Sequence, residues 1–184
     1  GHRWMDDDVP MILTLDDLRC VGRWTASCAA RGLPMFEAGQ PNDLRPREAV
    51  DGIRDFARGG PRVARLRNLA LAAYAAAREA EDPVLQAIAR SAGLAASSAY
   101  THPLATTDQA QHILGPAVYA ALARERAGGP AAGQREIQWA VRQATPALRE
   151  VLQRFPPQHP GHTRLAVFFA QLDAALRRPH RQRS

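Results

Sequence analysis

The chain has 184 residues, 46% of them hydrophobic, which is enough for one domain with a real core and too apolar for a disordered polypeptide. Its formal charge of +6 rests on 24 arginines and no lysine, so there is no P-loop phosphate clamp, no pyridoxal-phosphate aldimine and no Schiff-base nucleophile. No apolar run approaches the ~20 residues of a membrane span and nothing reads as a signal peptide, so the expected compartment is the cytoplasm; residues 1–5 read in part as a cloning scar, with Met5 as the native start.

Thr14 opens the first predicted helix, because Thr14-Leu15-Asp16-Asp17 has capping-box spacing with Asp17 in the place of the usual Glu or Gln. Leu15, Leu18, Val21, Trp24, Cys28 and Phe36 then recur at three and four, which reads as one apolar stripe. The two cysteines, Cys20 and Cys28, share this helix. Eight residues separate them by roughly 12 Å, too far for a disulfide. Pro46 suits the start of a second helix, with Ala49, Val50, Ile53, Phe56 and Ala57 as its stripe and Gly59-Gly60 as its stop.

A third helix is expected over 61–79. Asp82-Pro83 caps a fourth that runs to about residue 98 and is rich in Ala, Ser and Gly. Small residues allow close approach, so the third and fourth helices are expected to be central. A fifth spans about 107–126, and Gly128-Gly129-Pro130 separates it from a sixth over about 134–155, stopped by Pro156-Pro157. Leu165, Phe168, Phe169, Leu172 and Leu176 mark the last. No window alternates like a strand and no repeat of 30–45 residues is evident. The expected fold is all-α, a single-domain bundle of about seven helices over 13–177. Residues 1–12 are expected to form an N-terminal extension and 178–184 a basic, frayed tail.

The polar stretch from Ser98 to Pro116 joins the fourth and fifth helices and is the first candidate site. Pro116 has no N–H, so the carbonyl of His112 loses its helical partner. Asp108, His112 and Tyr119 fall on one helix face, and an aspartate one turn away should orient the imidazole and raise its pKa. His102 and Tyr100 lie in the linker beside them. Three readings stay open: the histidines tie the linker to a buried carbonyl, the cluster binds a ligand or partner, or two histidines and one aspartate hold a metal. No HExxH or CxxC spacing supports the metal, and no cofactor is expected.

The sixth helix carries the second candidate. Ile137, Val141, Ala144, Leu148, Val151, Leu152 and Phe155 make its core stripe, and Trp139 points away from it with Arg135, Arg142 and Pro146. A tryptophan flanked by arginines fits an interface with a partner or a second copy of the chain, although a second helix layer could also cover it. Pro146 should free the carbonyl of Arg142 and bend the helix. Arg54, Arg58, Arg62 and Arg65, with Arg45 and Arg47, could mark a nucleic-acid footprint. The interleaved Glu48, Asp51 and Asp55 argue instead for a salt-bridged face.

Arg45-Pro46-Arg47-Glu48-Ala49, Ala99 to Ala105, His112-Ile113-Leu114-Gly115, Ala144-Thr145-Pro146 and Arg154-Phe155-Pro156-Pro157 occur in an order that resembles an all-helical bacterial family of proposed immunity proteins. Some of its members carry a nuclease-related name, which nothing in these motifs supports. The resemblance runs from about residue 13 to 176. It implies a non-catalytic protein that protects its producer by sequestering a protein toxin or a toxic metabolite. Nuclease toxins need basic surfaces, so the partner of a basic protein is expected to be acidic or neutral. A ligand-sensing bundle, with its site at the His102/His112 joint, is the alternative; an enzyme using Asp108 and His112 as an acid–base pair comes last.

Overall fold

A computed structural model describes residues 10–179. Both the presumed scar and the tail from residue 180 lie outside these. Among the described residues there are nine α-helices: α1 Leu15–Ala30, α2 Leu33–Gly39, α3 Arg45–Ala57, α4 Ala64–Glu79, α5 Pro83–Ser97, α6 Thr107–Gly128, α7 Pro130–Gln143, α8 Pro146–Gln153 and α9 Arg164–Arg177, with a 3-10 turn at Ser98–Tyr100. No strand forms among them, only an isolated bridge between Pro10 and Leu104. None of these helices is long and apolar enough to cross a membrane.

Local chemistry starts and stops most of the helices. Thr14 and Asp17 close the capping box reciprocally, Thr14 N donating to Asp17 Oδ2 at 2.9 Å and Asp17 N to Thr14 Oγ1 at 3.1 Å. Asp82 caps α5 through Val84 N at 2.8 Å, and Thr106, Thr145 and Thr163 cap α6, α8 and α9 in the same way. Gly59 and Gly129, at φ +108° and +90°, turn the chain after α3 and α6 where an L side chain would be strained.

Two expected helices are each divided in two. The first ends at Ala30, because Pro34 could not donate to the Ala30 carbonyl and its ring would crowd it. Pro34 instead sits in the first turn of α2, and Gly32 lets the link pass close to α5. A Cβ at Gly32 would stand 2.8 Å from Ile88 Cγ1. The sixth helix divides likewise. Pro146 does not bend it but opens α8, with Thr145 as cap, and Arg149 Nη2 reaches back to the Val141 carbonyl at 3.0 Å. Apolar periodicity runs through both breaks because each pair of short helices presents its apolar side to the same core.

The central helices are α5 and α6. Helix α5 touches α1, α2, α3, α4 and α6, and its Ala, Ser and Gly residues are buried on nearly every side. Gly93 and Gly115 permit this approach, since a Cβ at either would stand under 3.0 Å from Tyr74 or Leu94. Helix α4, expected to be central, lies at an edge and leaves Leu71 59% exposed. Pro116 sits inside α6, which continues through it, and Ser91 Oγ of α5 donates to the Pro116 carbonyl at 2.7 Å. The N-terminal extension is not wholly free of the domain, for Met11 N donates to the Pro103 carbonyl at 3.1 Å.

Cys20 is half-buried, Cys28 is buried, and both are free thiols, as their spacing on one rigid helix requires. Burial, helped by the nearby Glu136 carboxylate, pushes the Cys28 thiol far above its ordinary range. Unfolded protein without reductant should titrate two thiols per chain, while in the folded protein Cys28 should stay unreactive at mildly alkaline pH. Rapid labelling of Cys28 in native protein would contradict its burial in the core.

A candidate partner-binding concavity

Helix α7 is built with two faces. Gly133, Glu136, Ile137 and Ala140 make its buried side, while Arg135, Gln138 and Arg142 are exposed and Trp139 lies between the two. The early end of α1 leaves Arg31 at its C-cap, and α6 contributes Arg124. These residues, with Ala132, enclose an open concavity of about 500 Å³.

Glu136 organises its floor. Its side chain is 6% exposed and takes a bidentate pair from Arg31, at 2.7 Å to Nε and 3.1 Å to Nη2. Arg124 Nε stands 3.7 Å from the same carboxylate, and Arg124 Nη2 donates to the Arg31 carbonyl at 3.1 Å. The hydrogen bond from Arg31 to Glu136 raises the already high pKa of the guanidinium. That guanidinium also stacks on Trp139, its Cζ 4.1 Å from the ring centroid, while the tryptophan packs against the core. Trp139 is thus neither free at the surface nor covered by another helix layer; an arginine fixes one part of it at the rim. Among the described residues no carboxylate pairs with Arg135 or Arg142. Four guanidiniums face one carboxylate, so the concavity is net cationic with an aromatic wall.

Sequence reasoning placed Arg135, Trp139 and Arg142 together, and the fold brings them together. Pro146, assigned to the same side, belongs to the next helix. Arg31, Arg124 and Glu136 were missed. Glu136 carried a usable signal, because it falls at the spacing of Gly133, Ile137 and Ala140; an acid on an apolar stripe needs a cation from elsewhere.

The polar joint is arranged differently from the expectation. Tyr100 leaves it, donating its hydroxyl to the Val63 carbonyl at 2.6 Å while Arg67 stacks on its ring. Tyr119 faces another groove, beside Arg90. Asp108 is exposed and makes no ion pair with His112 among the described residues, so it does not orient the imidazole. The linker is tied by amides: Gln109 Oε1 accepts from His102 N at 2.9 Å, Gln111 Nε2 donates to Gln158 Oε1 at 3.0 Å, and Gln158 Nε2 donates to the Thr107 carbonyl at 2.9 Å.

His112 also titrates opposite to the expected direction. Burial, then repulsion from His102, lowers its pKa, and Asp108 opposes them only in part. With the folded value below the unfolded one near 6.5, the contribution of His112 to stability is whole above that pH and is lost as pH falls from it through the lower folded value. Thermal melts from about pH 7 to pH 5 should therefore fall more steeply for the natural protein than for His112→Gln. Parallel slopes would show that His112 does not couple folding to protons.

A family model described as "Imm-5 like putative immunity protein" matches residues 12–147. The chain belongs to this immunity-protein family. No curated protein and no solved structure matches it. The family match ends at residue 147, so it contains the whole concavity from Arg31 to Arg142, whereas most of α8 and all of α9 lie beyond it. Arg154 to Pro157, counted in the resemblance, lies outside the match as well.

On this immunity-family chain the arginine-rich corner around α3 is partly neutralised. Arg45 pairs with Asp43 and Glu79, Arg47 with Glu37 and Arg58 with Asp55. Arg62 Nη1 donates to the Ala99 carbonyl at 3.1 Å. Half of the corner's six arginines are salt-bridged: of the three interleaved acids only Asp55 takes part, the other carboxylates come from neighbouring elements, and Arg54, Arg62 and Arg65 make no ion pair among the described residues.

Proposed function

We propose that the protein is a non-catalytic immunity protein that acts in the cytoplasm by binding a protein toxin at the Trp139 concavity. The supporting observation is the grouping of Arg31, Arg124, Arg135 and Arg142 around Trp139 with Glu136 as the sole acid of the lining. Arginine and tryptophan are favoured at interaction hot spots, and exposed guanidiniums without carboxylate partners attract an acidic surface. The partner is accordingly a toxin with an acidic recognition segment. Glu136 holds Arg31 against Trp139, so part of the surface is ordered before binding.

Acid–base catalysis receives no support from the polar joint, where Asp108 and His112 form no pair. The direct test is co-expression with each protein encoded by a neighbouring gene, read as growth rescue from a toxic one and as a stoichiometric complex. Arg135→Glu combined with Arg142→Glu should lose both readouts while the variant stays folded. Rescue by that variant would overturn the proposal; self-association lost in its place would make a second copy of the chain the occupant and overturn it equally.

A further inference from the structure

A second arginine-lined groove, sharing no lining residue with the Trp139 concavity, opens between α4, α5, α6 and the start of α9. It encloses about 420 Å³, within the range of small-molecule sites. Arg78, Arg90 and Arg126 line it with Tyr119, Leu122 and Leu165, and no acid is among its lining residues.

These arginines differ from those that the fold locks in ion pairs. Elsewhere, Arg45, Arg47, Arg58, Arg154, Arg164 and Arg177 are each held by a carboxylate, which consumes their charge. Arg126 is held by a neutral group instead, its Nη1 donating to the Pro83 carbonyl at 2.8 Å. Arg90 lies against two rings, its Cζ 5.8 Å from the centroid of Tyr74 and 5.2 Å from that of Tyr119. Carbonyls and aromatic faces position a guanidinium without neutralising it. Among the described residues none of the three arginines has an ion-pair partner.

We propose that this groove binds a phosphate-bearing small molecule of nucleoside-diphosphate size. The three guanidiniums suit the oxygens of two linked phosphates, which accept paired N–H bonds in the plane of each fork. Tyr119, Leu122 and Leu165 supply ring and aliphatic surface for the body of the ligand. The proposal is independent of the toxin-binding reading, because the two surfaces share no residue and the readouts differ.

The test is calorimetric titration of the purified chain with ADP, inorganic pyrophosphate and inorganic phosphate at fixed ionic strength. ADP should bind saturably and roughly tenfold or more tighter than inorganic phosphate. Arg90→Ala and Arg78→Ala, both at exposed positions, should each weaken ADP by about tenfold, and Tyr119→Ala should weaken ADP more than pyrophosphate. Arg135→Glu, in the other concavity, should leave ADP affinity unchanged. Three results would each overturn the proposal: no saturable ADP binding, equal affinity for ADP and phosphate, or a loss in Arg135→Glu as large as in Arg90→Ala. The last would mean attraction by net charge rather than a site.

Discussion

Reversing both Arg135 and Arg142 to glutamate is expected to weaken toxin binding by about 3–5 kcal/mol, since like charges brought together at an interface cost several kcal/mol. That is a factor on the order of 10² to 10⁴ in Kd. Both side chains are exposed and have no carboxylate partner among the described residues, so folding should change by no more than about 0.5 kcal/mol. Trp139→Ala makes a useful companion, because it should also weaken binding but lower stability modestly through the lost Arg31 stack. Raising salt should weaken the natural complex more than the double-reversal variant. Equal affinity of the natural and reversed proteins for the toxin would remove the concavity from consideration.

Arg177→Met is expected to destabilise the fold more than any of the surface substitutions above. Asp173 is 3% exposed at its side chain, and both its oxygens accept from Arg177 Nε, at 3.0 and 2.9 Å. Oδ2 also accepts from Gln158 N at 3.1 Å, which fixes the segment after α8. Arg177 Nη2 further donates to the carbonyls of Leu152 and Phe155, at 3.2 and 2.8 Å, and so closes the end of α8. Methionine keeps the length of the side chain but leaves a buried carboxylate unpaired and two carbonyls without this donor. Breaking such a pair costs about 3–5 kcal/mol, or roughly 6–20 °C in Tm for a chain of this size. The double variant Arg177→Met/Asp173→Leu should recover much of that loss, because no buried charge is left over. If the double variant were less stable than the single one, packing at α9 rather than charge would be the cause.

The two predictions probe opposite uses of arginine. Arg177 is locked by Asp173 and serves the fold, whereas Arg135 and Arg142 are left available at the surface. Because the family match ends at residue 147, the charge reversal falls in a region the family shares and Arg177→Met in a helix beyond it.

Helix-forming signals are legible in the sequence wherever both partners lie within about four residues of each other. The Thr14 capping box, the Asp82 cap, the Gly59 stop and the Gly129-Pro130 boundary are of this kind, and so is the separation of Cys20 from Cys28. The breaks at Gly32-Leu33-Pro34 and Thr145-Pro146 carried equally local signals, but the apolar periodicity running across them masked the proline chemistry. The bidentate pair of Arg31 with Glu136 joins residues 105 positions apart, and the lock on Asp173 needs Gln158 from a separate segment. Composition and spacing could mark Arg135, Trp139 and Arg142 as one surface but could not say which cation would meet Glu136. Only the packing of α1 and α6 against α7 decided that, because a buried charge takes its partner from whichever chain segment the core brings alongside.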